Sequence, residues 1–177
     1  MKTLINLFQS IRKKIIETGS VEARIRYLRK QGVKIGQNCI IQSIEFSSEP
    51  YLIELGDHVA VSYGTNFITH DGSMWCFEGE LPGAIFGRII IGNNVFIGLN
   101  CTILQNTVIG ENCIIGAGSV VRGHFPSNSV IIGNPAKVVL NMKAQKMLFS
   151  QNPGLITESA STEAQATVLI KSHFNII

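Results

Sequence analysis

The sequence predicts an all-β dominated chain wound as a parallel β-helix, with helical segments at its ends and one loop leaving the coil. Three observations carry that prediction. From Ile91 the chain reads IGNNVF, IGLNCT, ILQNTV, IGENCI, IGAGSV, VRGHFP, six consecutive hexads beginning at Ile91, Ile97, Ile103, Ile109, Ile115 and Val121. β-Branched residues dominate, with 26 isoleucines and 12 valines against 12 leucines, which favours strands. Glycine and asparagine recur at fixed places within the period, where tight corners need left-handed or closely approaching backbone.

The hexad has a mechanical meaning. Position one is aliphatic, and position five is small or β-branched: Cys39, Val59, Thr65, Val95, Cys101, Thr107, Cys113, Ser119. Position five and the next position one are two residues apart, so both point to the same side of a short strand. Position four is Asn or Gly in most hexads, so each hexad reads as one strand and one corner. Coil then stacks on coil through parallel ladders about 4.8 Å apart. A helix would need a period of 3.6, which the pattern does not supply.

Taken along the chain, residues 1–34 form an N-terminal amphipathic helical segment: Leu4, Phe8, Ile11 and Ile15 recur at helical spacing, as do Ile25, Tyr27 and Leu28 after a break at Gly19-Ser20. Such helices cover the open strand edges of a first coil. Residues 35–139 hold the coil. IGQNCI at Ile35 is out of register with the run at Leu55, Val61 and Phe67, so an insertion lies between them. A second excursion, residues 71–88, separates that run from Ile91, where the repeat resumes in register. Residues 140–177 give a C-terminal helix around LNMKAQKMLF, a polar linker, and a β-prone tail, TVLIKSHFNII, with no evident place.

Hydrophobic residues at 45% and charged residues at 15% exclude a disordered chain. No apolar run reaches membrane-spanning length and no signal-peptide pattern is present, so a cytoplasmic protein is expected. Net charge is +3 but uneven: residues 1–34 hold nine basic and two acidic side chains, and the rest hold six and ten. The basic end is read as a solvated helix face, with peripheral association to an anionic membrane as the alternative. No nucleic-acid partner is expected. Cys39, Cys101 and Cys113 fall at interior positions, which argues against disulfides or metal; Cys76 lies outside the repeat.

Four histidines are present. His58 and His70 occupy position four of their hexads, and His124 is read as a corner residue too. His70 stands where the chain leaves the coil, in TNFITHDGS, and two readings stay open for it: a polar corner residue, or a base placed beside a loop.

The tandem [LIV]-G-x-N/G hexads, closing in SVVRGHFPSNSVIIGNPAKVV (Ser119–Val139), resemble the hexapeptide-repeat acyltransferases. The nearest branch holds sugar and polysaccharide O-acetyltransferases and xenobiotic acetyltransferases, and the match spans about residues 24–140. The resemblance implies a left-handed parallel β-helix of hexapeptide repeats, a homotrimer, and acetyl-CoA as co-substrate in a groove between subunits. It selects the catalytic reading of His70, a base that takes the proton of an attacking hydroxyl and returns it to the departing thiolate. Asn66 is expected to orient that hydroxyl, and the Gly98–Leu99 peptide to donate to the thioester oxygen.

For the cofactor, the resemblance implies Gly116, Ala117, Gly118 and Ala136 along the pantetheine arm, Phe96 as an aromatic wall in place of a more usual Trp, and Arg122 and Lys137 at the phosphates. Arg122-Gly123-His124 departs from the family's usual turn. Acceptor choice is placed in the loop, on Asp71, Trp75, Phe77 and Glu78, an aromatic face beside carboxylates suited to sugar hydroxyls; packing of Trp75 and Phe77 within the loop or a trimer interface is the competing reading. Asp71, Glu78, Glu80 or a backbone carbonyl is expected to hold the His70 tautomer. No metal is expected: γ-class carbonic anhydrases share the fold, but His70 and His124 read as two coils apart, about 10 Å along the axis.

The function expected is therefore acetyl transfer from acetyl-CoA to a hydroxyl of a sugar or cell-surface polysaccharide. The alternatives are a xenobiotic (antibiotic) or amino-sugar acetyltransferase, and a non-catalytic trimeric β-helix scaffold.

Overall fold

The structure is a computed structural model that describes residues 15–176. The first three expected helix positions, Leu4, Phe8 and Ile11, lie outside the described residues; residues 15–17 are helical. The chain divides into two compact units, one ending at Met142 and one beginning at Lys143.

After residues 15–17, helix α1 (Val21–Lys30) follows, and its N-cap Ser20 accepts the Ala23 N–H. Strands β1 (Lys34–Ile35) and β2 (Ile40–Ile41) begin the coil, followed by β3 (Ile53–Leu55), β4 (Ala60–Val61) and β5 (Asn66–Ile68). A small hairpin, β6 (His70–Asp71) with β7 (Ile85–Phe86), carries the excursion. The coil resumes with β8 (Ile89–Ile91), β9 (Val95–Ile97), β10 (Thr102–Leu104), β11 (Thr107–Ile109), β12 (Cys113–Ile115), β13 (Val120–Val121) and β14 (His124–Phe125). It closes with β15 (Ser129–Gly133) and β16 (Ala136–Asn141). Three ladders form the faces of the coil: β1-β3-β8-β11-β14, β5-β10-β13, and β2-β4-β9-β12-β15-β16. Every neighbouring pair in them is parallel except β15 with β16, which reverses.

The period explains the packing. Position-one and position-five side chains fill the interior as one column, from Ile35 and Cys39 to Ile115 and Val121. The buried hydroxyls there are satisfied within the coil: Thr65 Oγ1 donates to Gly98 O at 2.8 Å, and Ser119 Oγ to Gly116 O at 2.6 Å. Position four takes the left-handed corner, from φ 54° at Asn94 to 71° at Gly118. His58 is such a corner residue; its Nδ1 donates to Asn94 Oδ1, and Asn94 Nδ2 to Asn112 Oδ1, both at 2.8 Å.

Two cationic side chains of α1 close the open end of the coil. Arg24 is only 4% exposed, and its guanidinium donates to the carbonyls of Ile41 (2.8 Å), Glu17 (3.0 Å) and Gly19 (2.6 Å). Arg29 donates to Ile35 O and Gly36 O.

One expectation is corrected here. His124 is not a corner residue but lies in β14, paired with Val108, on a different face from His70. The cause is a shortened coil: Val121 aligns with Ile103 and Phe125 with Ile109, so four residues cover what six cover in the neighbouring turn, with Gly123 at φ 110° tightening the corner. The β-prone tail, which has no evident place in the sequence, is largely helical. Residues Glu163–His173 form helix α3, N-capped by Thr162, whose Oγ1 accepts the Gln165 N–H at 3.2 Å. The second unit also contains most of helix α2 (Met142–Ser150).

Candidate active site

His70 is where β5 ends its ladder and the chain leaves the coil. It does not take the left-handed corner; it pairs with Phe86 in the hairpin, and the two rings are 5.9 Å apart between centroids. One coil further on, the equivalent residue Asn106 keeps the corner at φ 62°. The departure frees the imidazole to turn toward a segment that sequence reasoning did not select.

That segment is the first excursion. Its Phe46 is buried and stacks on Phe67, centroids 4.3 Å apart, while Phe67 N donates to Glu45 O at 2.9 Å. Anchored so, the segment brings the Glu49 carboxylate to His70, with Nδ1 to Oε2 at 2.9 Å. Glu49 is 17% exposed at its side chain and His70 39%. The Thr69 hydroxyl, at 2.8 Å, and then the His70 ring hold the Glu49 carboxyl below its ordinary range. The expected tautomer holders Asp71, Glu78 and Glu80 are therefore replaced by Glu49. The one legible signal was the register break before Leu55, which announces an insertion but not its path.

A groove of about 440 Å³ opens beside His70, lined among others by Tyr27, Glu45, Ser48 and Asn66. Asn66 Nδ2 donates to Gly64 O at 2.9 Å, and its side-chain oxygen is an acceptor by type. Trp75 and Glu78 do not line this groove. They border a separate depression of about 500 Å³ with Gly72, Met74, Gly79 and Pro82, and Trp75 is 86% exposed. Phe77 ends the short 3-10 turn Ser73–Phe77, also exposed. Asp71 turns to its own loop, accepting Ser73 N–H at 2.9 Å; that bond first, and the Arg122 guanidinium at longer range, keep its carboxyl low. Arg122 thus stands on the side of the departing loop.

Gly98 has both backbone groups engaged: its N–H donates to Ile115 O at 2.9 Å and its carbonyl accepts from Thr65. A Cβ there would meet Ala117 N at 2.6 Å, which is reason enough for glycine. Leu99 differs. Its carbonyl accepts the Gly118 N–H at 2.8 Å, while no hydrogen bond among the described residues uses its N–H. On the neighbouring corner stack three of the four matching N–H groups are covered by side chains of the next coil, Gln37 by Asp57, Asp57 by Asn93 and Glu111 by Ser127, while that of Asn93 is not. The Leu99 corner lacks such a cover, and Gly116, Ala117 and Gly118 stack directly on it.

Phe96 lies on another face, half exposed in β9, in register with Ile40, Ala60 and Ile114 along a groove of about 340 Å³. Ala136 and Lys137 open β16, opposite Gly133 and Ile132, after the cis Asn134–Pro135 peptide. Among the described residues no group of three or more His, Cys, Asp or Glu side chains is placed to hold a metal ion.

Comparison with known proteins bears on the fold and the family. Residues 88–123 match the family model for bacterial transferase hexapeptide (six repeats). Protein CapG of Staphylococcus aureus is 46% identical over 129 residues, 71% of this chain and 75% of that one. Among solved structures, a hexapeptide-repeat-containing acetyltransferase from Vibrio cholerae superposes with a TM-score of 0.61 at 21% identity, over 80% of this chain and 92% of that one. The same Vibrio protein has been solved with acetyl coenzyme A. A maltose O-acetyltransferase from Clostridium difficile gives 0.55 at 24% identity, over 80% and 89%. A coil of six-residue repeats that matches the repeat model, together with a relative this similar over most of its length, makes this chain a member of the bacterial hexapeptide-repeat transferase family, with the left-handed parallel β-helix of the acetyltransferase structures it resembles.

Proposed function

We propose that this protein transfers the acetyl group of acetyl-CoA to a hydroxyl of a sugar or cell-surface polysaccharide, in a homotrimer whose adjacent subunits share each site. The observation that carries the reading is the His70–Glu49 pair at the edge of an open groove. With Nδ1 donating to Glu49, the Nε2 lone pair is the basic atom. The acceptor hydroxyl enters the groove, accepts or donates at Asn66, and gives its proton to Nε2 as its oxygen attacks the thioester. Glu49 favours the imidazolium that forms, and Nε2 then returns the proton to the thiolate of CoA.

The Leu99 N–H is the donor for the developing oxyanion. An N–H fixed on a coil corner and lacking a partner is stabilised only when charge appears before it, which lowers the barrier rather than binding the ground state. CoA lies along the corner of Gly116, Ala117 and Gly118 toward Ala136, with Phe96 as an apolar wall and Lys137 and Arg122 at phosphate groups. The exposure of Trp75, Phe77 and Leu81 supports their being covered by a neighbouring subunit, where they would bear on its acceptor.

No described helix is long and apolar enough to cross a membrane. Peripheral association would rest on the basic end, from which Arg24 and Arg29 are already engaged by carbonyls; flotation with anionic vesicles tests it, and absence of binding removes it. The main test is calorimetric titration with CoA alongside the mass in solution, followed by an acceptor screen for thiol release. A trimer binding one CoA per subunit supports the reading, and a trimer without CoA affinity overturns it.

A further inference from the structure

The distances around Glu49 favour one arrangement of protons, and we infer that Thr69 and Ser47 are positioning residues that fix the tautomer of His70. The inference rests on His70 acting as the base. Glu49 Oε2 is approached by His70 Nδ1 at 2.9 Å, Thr69 Oγ1 at 2.8 Å and Ser47 Oγ at 3.5 Å. An ionised carboxylate only accepts, and Thr69 at 2.8 Å rather than Ser47 at 3.5 Å is within good bonding distance of it, so the single Thr69 hydroxyl proton is committed to Glu49. Ser47 Oγ lies 2.7 Å from Thr69 Oγ1, and the proton between them must therefore come from Ser47. Ser47 Oγ in turn accepts the Thr69 N–H at 3.2 Å.

The chain of donation runs Ser47 to Thr69 to Glu49, where it meets the proton arriving from His70 Nδ1. Nothing in it can donate to Nδ1, so the neutral ring carries its proton there and keeps Nε2 as the free acceptor. Free imidazole side chains in water favour the opposite tautomer, and the network inverts that preference.

The placement of the two residues supports a built device. Thr69 is fully buried, directly precedes His70, and has its carbonyl taken by Gly87 N at 2.9 Å, so it ties the end of the long excursion to the short one. Ser47 holds φ at 52°, a left-handed backbone that a serine adopts at a cost and that aims its hydroxyl at Thr69 from two directions.

The test is nitrogen-15 NMR of the full chain with labelled histidine, the His70 signals being identified by their loss in His70→Asn. In the unsubstituted protein at a pH where the ring is neutral, the expected spectrum has Nδ1 protonated and Nε2 unprotonated. Thr69→Val, which keeps shape and removes the hydroxyl, shifts the population toward Nε2–H. It also lowers kcat about tenfold, the loss of one charge-assisted hydrogen bond, with KM for acetyl-CoA unchanged. Thr69→Ser restores both readouts. If Thr69→Val does not fold, Ser47→Gly, which keeps the left-handed backbone and removes the hydroxyl, shows a smaller shift in the same direction. A ring protonated at Nε2 in the unsubstituted protein, or a tautomer unmoved by loss of either hydroxyl, overturns the inference. Because the spectrum reads the ring without any acceptor, failure of the proposed acetyl transfer would be seen separately, in the thiol-release assay.

Discussion

The coil is interrupted twice, and the two interruptions behave in opposite ways. The segment between β2 and β3 is short and held from within: Phe46 fills the interior under Phe67, Ser43 Oγ donates to Thr65 O at 2.7 Å, and Ser47 and Glu49 are locked to Thr69 and His70. The segment between β6 and β7 is slightly longer and carries as many aromatic and acidic side chains, yet Trp75, Phe77 and Leu81 face solvent, and its ties are local turn bonds. The first segment makes a precise contact because a buried aromatic anchors it. The second presents chemistry that nothing in the same subunit holds in place. Residue types suggest what an excursion could do; anchoring decides what it does do within one chain.

Substitutions test this contrast at different depths. The largest effect is expected for His70→Ala, a loss of about 10³-fold in kcat with CoA binding and melting temperature unchanged. Activity at the original level would remove the site altogether. Next comes Phe46→Ala, which should cost about 3–5 kcal/mol in urea unfolding, whereas Trp75→Ala should stay within about 0.5 kcal/mol. Equal costs at the two positions would break the comparison.

A smaller effect concerns acid. Thr69 and His70 hold the Glu49 carboxyl lower in the folded chain than in the unfolded one. Its contribution is therefore present above the ordinary carboxylate range and lost as pH falls through the lower, folded value. Between neutral pH and about pH 3, melting temperature should fall more steeply in the parent than in Glu49→Gln; identical slopes would show that Glu49 is not held in this way. The smallest effect is expected from replacing residues 72–84 by Asn-Gly, a two-residue turn joining Asp71 to Ile85, with melting temperature shifted by no more than about 2 °C.

The coil could be read from the sequence because its period leaves no freedom: a shift of one residue would turn Ile97 or Ile103 outward and Asn100 off its corner. The same logic located His70 at the point of departure, since the repeat breaks after it and resumes in register. Glu49 could not be found that way. It lies 21 residues before His70, on a segment whose path depends on where Phe46 packs, and no period constrains that. His124 was misplaced because counting by sixes assumes full turns, and Gly123 allows a shorter one. The tail has no evident place in the sequence because its valine and isoleucine content points to strand while Thr162 followed by Gln165 carries a helix-start signal; Ser161 N donates to Gln165 Oε1 at 3.0 Å in the structure.

The guanidinium groups of Arg24 and Arg29 bear on a different matter, the length of the object. A coil of identical rungs has no internal reason to stop, and its bare end is a template for another copy's rungs. By binding the carbonyls of Ile35, Gly36 and Ile41, the helix that carries these two arginines acts as a chain terminator in the polymer sense. A protein shorn of that helix would expose a growing end, and fibre formation rather than simple unfolding is the behaviour to expect from it.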